Sequence, residues 1–228
     1  GEAAWELHHP VDGSVALWRR LMELGRDLGI RPHGLQALFA LRLEKGHVIV
    51  GMDTELDTTP RRLGMDWAAR MDKPRFIGRA ALEKIAAKPH RIKVTLELND
   101  EDVIKTIASQ YGKDGERAKY FDFPSAVYSM YPQDKVLSKD GKQVGVSTWV
   151  GYSSNERKQL TLAYLEPEFA KPGTEVTFVW GEPDGGAKKP TVESHKQVQI
   201  RAIVCPVPYV ASVRTGYAEG GWRATGKL

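Results

Sequence analysis

Cysteine is almost missing from this chain: Cys205 is the one such residue in 228. A disulfide within the chain is therefore excluded, and so is a cysteine-rich metal site. The six histidines include no His-x-x-x-His pair. His8 and His9 are adjacent, so on a strand they point to opposite faces, and His33, His47, His90 and His195 are scattered. No metal site is expected. A Gly-x-Ser-x-Gly nucleophile elbow is lacking, as is a Gly-rich phosphate loop closed by Lys. No apolar run reaches the roughly 18 residues of a membrane-spanning helix. The opening residues, Gly1-Glu2-Ala3-Ala4-Trp5-Glu6-Leu7, lack the basic and apolar regions of a secretory leader and have no initiator Met. They read as the middle of a strand, so the expectation is a chain cut from something longer.

What is present is an ordinary soluble profile, 41% apolar and 27% charged, enough to bury a core in one large or two small domains. The net charge is +4, but Arg61 and Arg62 are interleaved with Asp53, Glu55 and Asp57 instead of forming a basic stripe. That argues against nucleic acid and suits a small polyanionic ligand. A single cysteine fits a reducing compartment, and the expected location is the cytoplasm.

Residues 14–28 place Val15, Trp18, Leu21, Met22 and Leu28 on one helical face, ended by Gly29 and Pro32. A second helix is predicted over residues 34–44, with Leu35, Leu38, Phe39 and Leu43 inward and Gly46 as its stop. Residues 5–7 and 63–69 read as short strands and residues 78–87 as a third helix. Lys88-Pro89-His90 marks a domain boundary. Beyond it come short strands: residues 92–98, a hairpin around Lys139-Asp140-Gly141-Lys142, then residues 160–165, 176–180 and 198–204. Residues 111–124, polar and aromatic, read as an inserted loop. The predicted class is α+β: a mixed α/β segment over residues 1–88, followed over residues 89–228 by an antiparallel β-sandwich or partial barrel.

Two places carry chemical interest. In Leu41-Arg42-Leu43-Glu44-Lys45-Gly46, Arg42 sits among apolar neighbours near a helix end. It either answers the helix dipole or is a semi-buried guanidinium aimed at a polar heterocycle. Glu2, by the residues alone, is an exposed terminal carboxylate.

Short motifs in a fixed order then add a resemblance. Gly1-Glu2 with Trp5-Glu6-Leu7, Gly29-Ile30-Arg31-Pro32 with Gly34-Leu35, Leu41 to Gly46, Gly51, Asp53, Thr59-Pro60, Leu63-Gly64-Met65-Asp66-Trp67 and Phe76-Ile77-Gly78-Arg79-Ala80-Ala81-Leu82 resemble the T protein (aminomethyltransferase) family of the glycine cleavage system. Gly145-Val146-Ser147 through Ser153, Leu160-Thr161-Leu162-Ala163, Pro172-Gly173-Thr174-Glu175-Val176 and Trp180-Gly181-Glu182-Pro183 resemble the family's C-terminal β-domain. The ending, from Ile200-Arg201-Ala202 to Pro208-Tyr209, resembles folate-dependent demethylases of aryl methyl ethers such as vanillate. The resemblance departs most over residues 111–131.

The resemblance implies a tetrahydrofolate cofactor, with the pterin ring held by Glu2 and Arg42. A carboxylate accepts two parallel hydrogen bonds from the pterin amino group and ring N–H, and a guanidinium donates to the ring acceptors. It also implies transfer of a methyl or methylene group to N5 of tetrahydrofolate from an aryl methyl ether or aminomethyl donor. The family's catalytic aspartate lies upstream of Gly1, so no catalytic residue is expected here, and the missing N-terminal domain is a partner. Trp149 and Tyr152 fall on a segment read as a loop facing the cofactor, with core packing or a surface stack as the alternative. His47 either faces the folate or is solvated. Two other readings are the folate-binding tail of a flavin-dependent sarcosine or dimethylglycine dehydrogenase and a non-enzymatic folate-binding relative. The latter carries a Lys-Gly-Cys-Tyr-like segment where this chain has Lys45-Gly46-His47-Val48.

Overall fold

A computed structural model describes residues 5–54, 58–86, 88–113, 115–121, 133–188 and 192–215. The core is a closed six-stranded antiparallel barrel: β1 (Ile92–Leu98), β2 (Asp134–Leu137), β3 (Gln143–Ser153), β4 (Lys158–Leu165), β5 (Glu175–Trp180) and β6 (Val198–Cys205), in the order β1-β4-β3-β2-β5-β6. Closure comes from β1 pairing β6 over Thr95–Cys205 to Leu98–Ala202. The sandwich alternative is therefore set aside, and no edge is left between these strands. Period-two alternation sends Val94, Leu96 and Leu98 inward against Ile200, Ala202 and Val204. The predicted hairpin turn stands between β2 and β3, where Gly141 takes φ 82°, a conformation glycine adopts without a Cβ clash.

Helix α4 (Asp100–Ala108) was not expected from sequence. The Asn99 side chain accepts from the Asp102 N–H at 3.1 Å and three acids occupy the first turn, which satisfies and polarises the helix start. Val103 and Ile107 pack onto the barrel core. Residues 111–113 and 115–117 are exposed, but residues 118–121 tie the end of this described stretch to the barrel. Phe121 stacks on Trp180 with centroids 4.7 Å apart, and the buried Lys119 reaches Glu182 at 2.9 Å. The Trp180 indole N–H donates to the Lys119 carbonyl at 2.8 Å. Residues 122–124 of that predicted loop lie outside the described residues.

Ahead of the barrel lie α1 (Ser14–Leu24), α2 (Leu35–Lys45) and α3 (Arg79–Ala86), close to prediction; a short α5 (Ala211–Thr215) follows it. Two predicted strands are absent. Residues 5–7 belong to no strand among the described residues, and Trp5 is 89% exposed. Residues 63–69 are a turn and a 3-10 helix (Asp66–Ala68), because the Pro60 carbonyl accepts from both Leu63 and Met65 and Gly64 reverses the chain at φ 69°. Helix α2 lies across the outer face of the barrel: Phe39 and Leu43 pack on Trp149, Leu160 and Leu162. Burying each such side chain contributes about 1.5–3 kcal/mol, and this packing joins residues on either side of the predicted boundary at Lys88.

Candidate functional site between α2 and the barrel wall

Helix α2 ends where its own sequence ends it. Gly46 adopts the left-handed cap at φ 68°, and the His47 N–H returns to the Arg42 carbonyl at 2.9 Å. A Cβ at Gly46 would sit 2.3 Å from Val207 Cγ1, so glycine also permits close approach of the chain after β6. The reversal brings residues 47–53 back beside the helix.

Arg42 is the centre of what this creates. It is 2% exposed. Its Nε donates to the His47 carbonyl at 3.0 Å, and its Nη2 is ion-paired with Asp53 Oδ2. The guanidinium lies over the Trp149 ring, 4.8 Å from the centroid, a cation–π placement. Asp53 is held in turn by the Ile49 N–H at 2.8 Å and the Thr148 hydroxyl at 2.7 Å. Of the two readings of Arg42, the buried guanidinium describes its surroundings: the side chain turns inward, where Asp53 and Trp149 offer a carboxylate and a π face.

Three buried polar atoms in this region have no partner among the described residues: Arg42 Nη1, Trp149 Nε1 and Thr95 Oγ1. Thr95, Leu162 and Trp149 form one cross-strand row, so the three share the wall under α2. Buried donors left unmatched cost about 1–3 kcal/mol each, and native proteins keep few of them. Each of them could donate to a group that brings an acceptor.

The electrostatics are cationic. Burial pushes the Arg42 guanidinium below its ordinary range, with Asp53 pulling back. Burial likewise lowers Lys93, whose ammonium donates to the Gly46 carbonyl at 3.0 Å. His47 is held down by burial and then by Lys45, Arg42 and Lys93. Around one carboxylate, Asp53, cluster several positive groups, an arrangement that favours an electron-rich ligand.

The sequence-predicted residues divide. Arg42 on α2 and Trp149 are brought together, Trp149 standing on strand β3 and not on a loop. Tyr152 lies on the same strand, half-buried and paired across to Gln159. Three residues along, strand alternation turns it from the face that Trp149 uses, so it does not join Arg42. Glu2 lies outside the described residues. His47 is exposed beside the cluster. Asp53 appeared in the sequence only as part of a motif, and Thr148 and Lys93 were not singled out; no local signal tells that strand residues will meet a loop carboxylate. Among the described residues no three of His, Cys, Asp and Glu gather as metal ligands.

Residues 1–73 match the GCVT N-terminal domain family. A syringate O-demethylase of Sphingobium sp. (strain NBRC 103272 / SYK-6) is 60% identical over 165 residues, 72% of this chain and 35% of that protein. An aminomethyltransferase of Halothermothrix orenii (strain H 168 / OCM 544 / DSM 9562) is 30% identical over 179 residues, 78% of this chain and 43% of that protein. The chain thus spans less than half the length of these relatives. The crystal structure of glycine cleavage system aminomethyltransferase T from Bartonella henselae shares the fold, with TM-score 0.60 and 23% identity over 88% of this chain and 45% of that one.

Proposed function

We propose that this chain, a member of the T protein (aminomethyltransferase) family, supplies part of the tetrahydrofolate pocket of a one-carbon transferase. The observation that carries this is the buried Arg42 guanidinium, fixed on Trp149 and Asp53 with Nη1 unmatched among the described residues. Its N–H groups suit the carbonyl oxygen and ring nitrogens of a pterin, and each charge-assisted bond contributes roughly 1.5–3 kcal/mol. Glu2 is assigned the complementary role, accepting from the pterin amino group and ring N–H. Tyr152 is retained as a more distant cofactor contact.

The reaction is transfer of a methyl or methylene group to N5. For an aryl methyl ether, the C–O bond breaks, the N5–C bond forms, and the phenolic oxygen takes up a proton that N5 gives up. Holding donor and acceptor in line is the main source of rate. The acid and base for the proton are assigned to the remainder of the enzyme, so this chain contributes binding and no catalytic residue. An aryl methyl ether donor is favoured by the 60% identity to a syringate O-demethylase. The flavin-dependent dehydrogenase reading is weaker, since dimethylglycine dehydrogenases are matched at 33% identity or less, against 60% for the demethylase.

Residues 1–88 are assigned to the folate-binding domain and residues 89–228 to the C-terminal barrel domain. The rest of the folate-binding domain is the partner. Helix α1 contains no buried residue and leaves Val15, Trp18 and Leu21 exposed, an apolar face suited to being covered. No helix among the described residues is long and apolar enough to cross a membrane, and a cytoplasmic location and a place in one-carbon metabolism accord with the cofactor.

The test is calorimetric titration with tetrahydrofolate, on this chain and on a version extended upstream. Binding that weakens at least about tenfold on Arg42→Ala supports the assignment. Absence of binding in both would leave only a shared fold.

A further inference from the structure

Strand β3 contains an irregularity that a plain strand has no use for. Ser147 pairs with Ala163 and Trp149 with Leu162, so Thr148 is an extra residue in the β3–β4 ladder. On a regular strand, neighbours face opposite ways; a bulge re-aims one of them. Here two consecutive side chains serve one cluster: the Thr148 hydroxyl donates to Asp53 at 2.7 Å, and the Trp149 ring lies under Arg42.

We infer that Thr148 and Asp53 are positioning residues for ligand recognition by Arg42, an inference that rests on the folate reading above. The Asp53 carboxylate is gripped at both oxygens: Oδ1 by Thr148, Oδ2 by the Ile49 N–H and by Arg42 Nη2. With Nε on the His47 carbonyl, Nη2 on Asp53 and one face on Trp149, the guanidinium is held on three sides, and Nη1 is the nitrogen without a partner among the described residues. Without the hydroxyl, the buried Asp53 Oδ1 loses that donor. The carboxylate then rotates to recover a partner, and Arg42 follows it. The cleft beside Asp53 and Thr148, also lined by Thr54, Thr58 and Arg62, gives the carboxylate room to do so.

The experiment compares Thr148→Val, which keeps the shape and removes the hydroxyl, with Thr148→Ser, which keeps the hydroxyl, and with Asp53→Asn. Each is titrated with tetrahydrofolate in the same upstream-extended protein, well below its unfolding temperature. Nitrogen-15 NMR of the Arg42 guanidinium, assigned by Arg42→Lys, is recorded beside each titration. Expected are a dissociation constant raised about tenfold in Thr148→Val and more in Asp53→Asn, near-complete rescue in Thr148→Ser, and Arg42 Nη resonances that are resolved in the parent and averaged in Thr148→Val. Should Asp53→Asn fail to fold, the Thr148 pair decides alone. A parent that binds, with Thr148→Val binding equally well and its Arg42 signals unchanged, overturns the positioning role and leaves the folate reading intact. A parent that does not bind removes the folate reading and this assignment together.

Discussion

The Arg42 guanidinium lies 4.8 Å from the centre of the Trp149 ring, and neither Arg42 Nη1 nor Trp149 Nε1 meets an acceptor among the described residues. One of these donors alone would be an isolated cost; stacked on one another they form a surface with two directions of donation. Trp149→Phe separates packing from recognition, because phenylalanine keeps an aromatic face for Arg42 and for Phe39, whose ring centroid is 5.1 Å away, and removes the unmatched N–H. The expected outcome is a protein of nearly parental stability that binds tetrahydrofolate several-fold more weakly. Thermal unfolding read beside calorimetry checks it. Equal affinity would assign the indole to packing alone.

Leu43 is fully buried against the barrel wall one residue after Arg42. Leu43→Ala removes side-chain volume where the strands beneath cannot move to fill it, so a loss of about 2–5 kcal/mol is expected. Urea unfolding measures this. The same substitution loosens the helix that carries Arg42, so folate affinity should fall as well. A stability loss under about 1 kcal/mol would mean that α2 is held by its polar ties, chiefly Glu44 to Ser153 and Asn155, more than by its apolar face.

Much of this architecture was legible in the sequence, because hydrophobic period and turn chemistry are local. The alternation of residues 92–98 announced β1, and the Asp140-Gly141 turn announced β2 and the start of β3, whose continuation to Ser153 takes in the segment read as a loop. The Gly46 stop fixed where α2 ends. Helix α4 was missed although Asn99 followed by Asp100, Glu101 and Asp102 is a cap with an acidic first turn; its nine residues fell unassigned between the strand at 92–98 and the loop at 111–124. Barrel closure was not legible, since pairing between β1 and β6 joins residues about a hundred positions apart. The site shows the same limit. Arg42 stood out by its apolar neighbours, whereas Thr148 gained its role from a bulge whose position depends on the register of two strands.

His47 makes the site sensitive to acid. Burial, with Lys45, Arg42 and Lys93, depresses its pKa in the folded protein. The unfolded chain, with an ordinary value near 6.5, therefore binds the proton first. Stability is complete above that value and declines as pH falls through it. The effect is modest because the side chain is exposed. Urea midpoints between about pH 5 and 8 should rise with pH in the parent, and His47→Gln should flatten that slope. A slope that survives the substitution would place the titration elsewhere.

Asp102 predicts a dependence of the same sign in a lower pH range, from a carboxylate instead of an imidazole. Its carboxylate accepts from the Arg201 backbone N–H at 2.9 Å and Nε at 2.8 Å, fastening α4 to β6. Those bonds, the side-chain one foremost, hold its pKa below the ordinary carboxylate range. The stabilisation is present above about pH 4, where the unfolded carboxyl is already ionised, and is lost as pH falls through the lower folded value. Asp102→Asn should lower stability at neutral pH and make unfolding less steep in acid. Asn99→Ala, which removes the acceptor shared by the Asp102 N–H and Arg201 Nη2, should cost about 1 kcal/mol at neutral pH while the direct Arg201 bonds to Asp102, and with them most of the acid slope, stay in place. Denaturant titrations of both variants from neutral pH to about pH 3 distinguish the two. If Asn99→Ala abolished the acid slope as fully as Asp102→Asn, the Arg201 contact would depend on the helix cap and the two effects would be one.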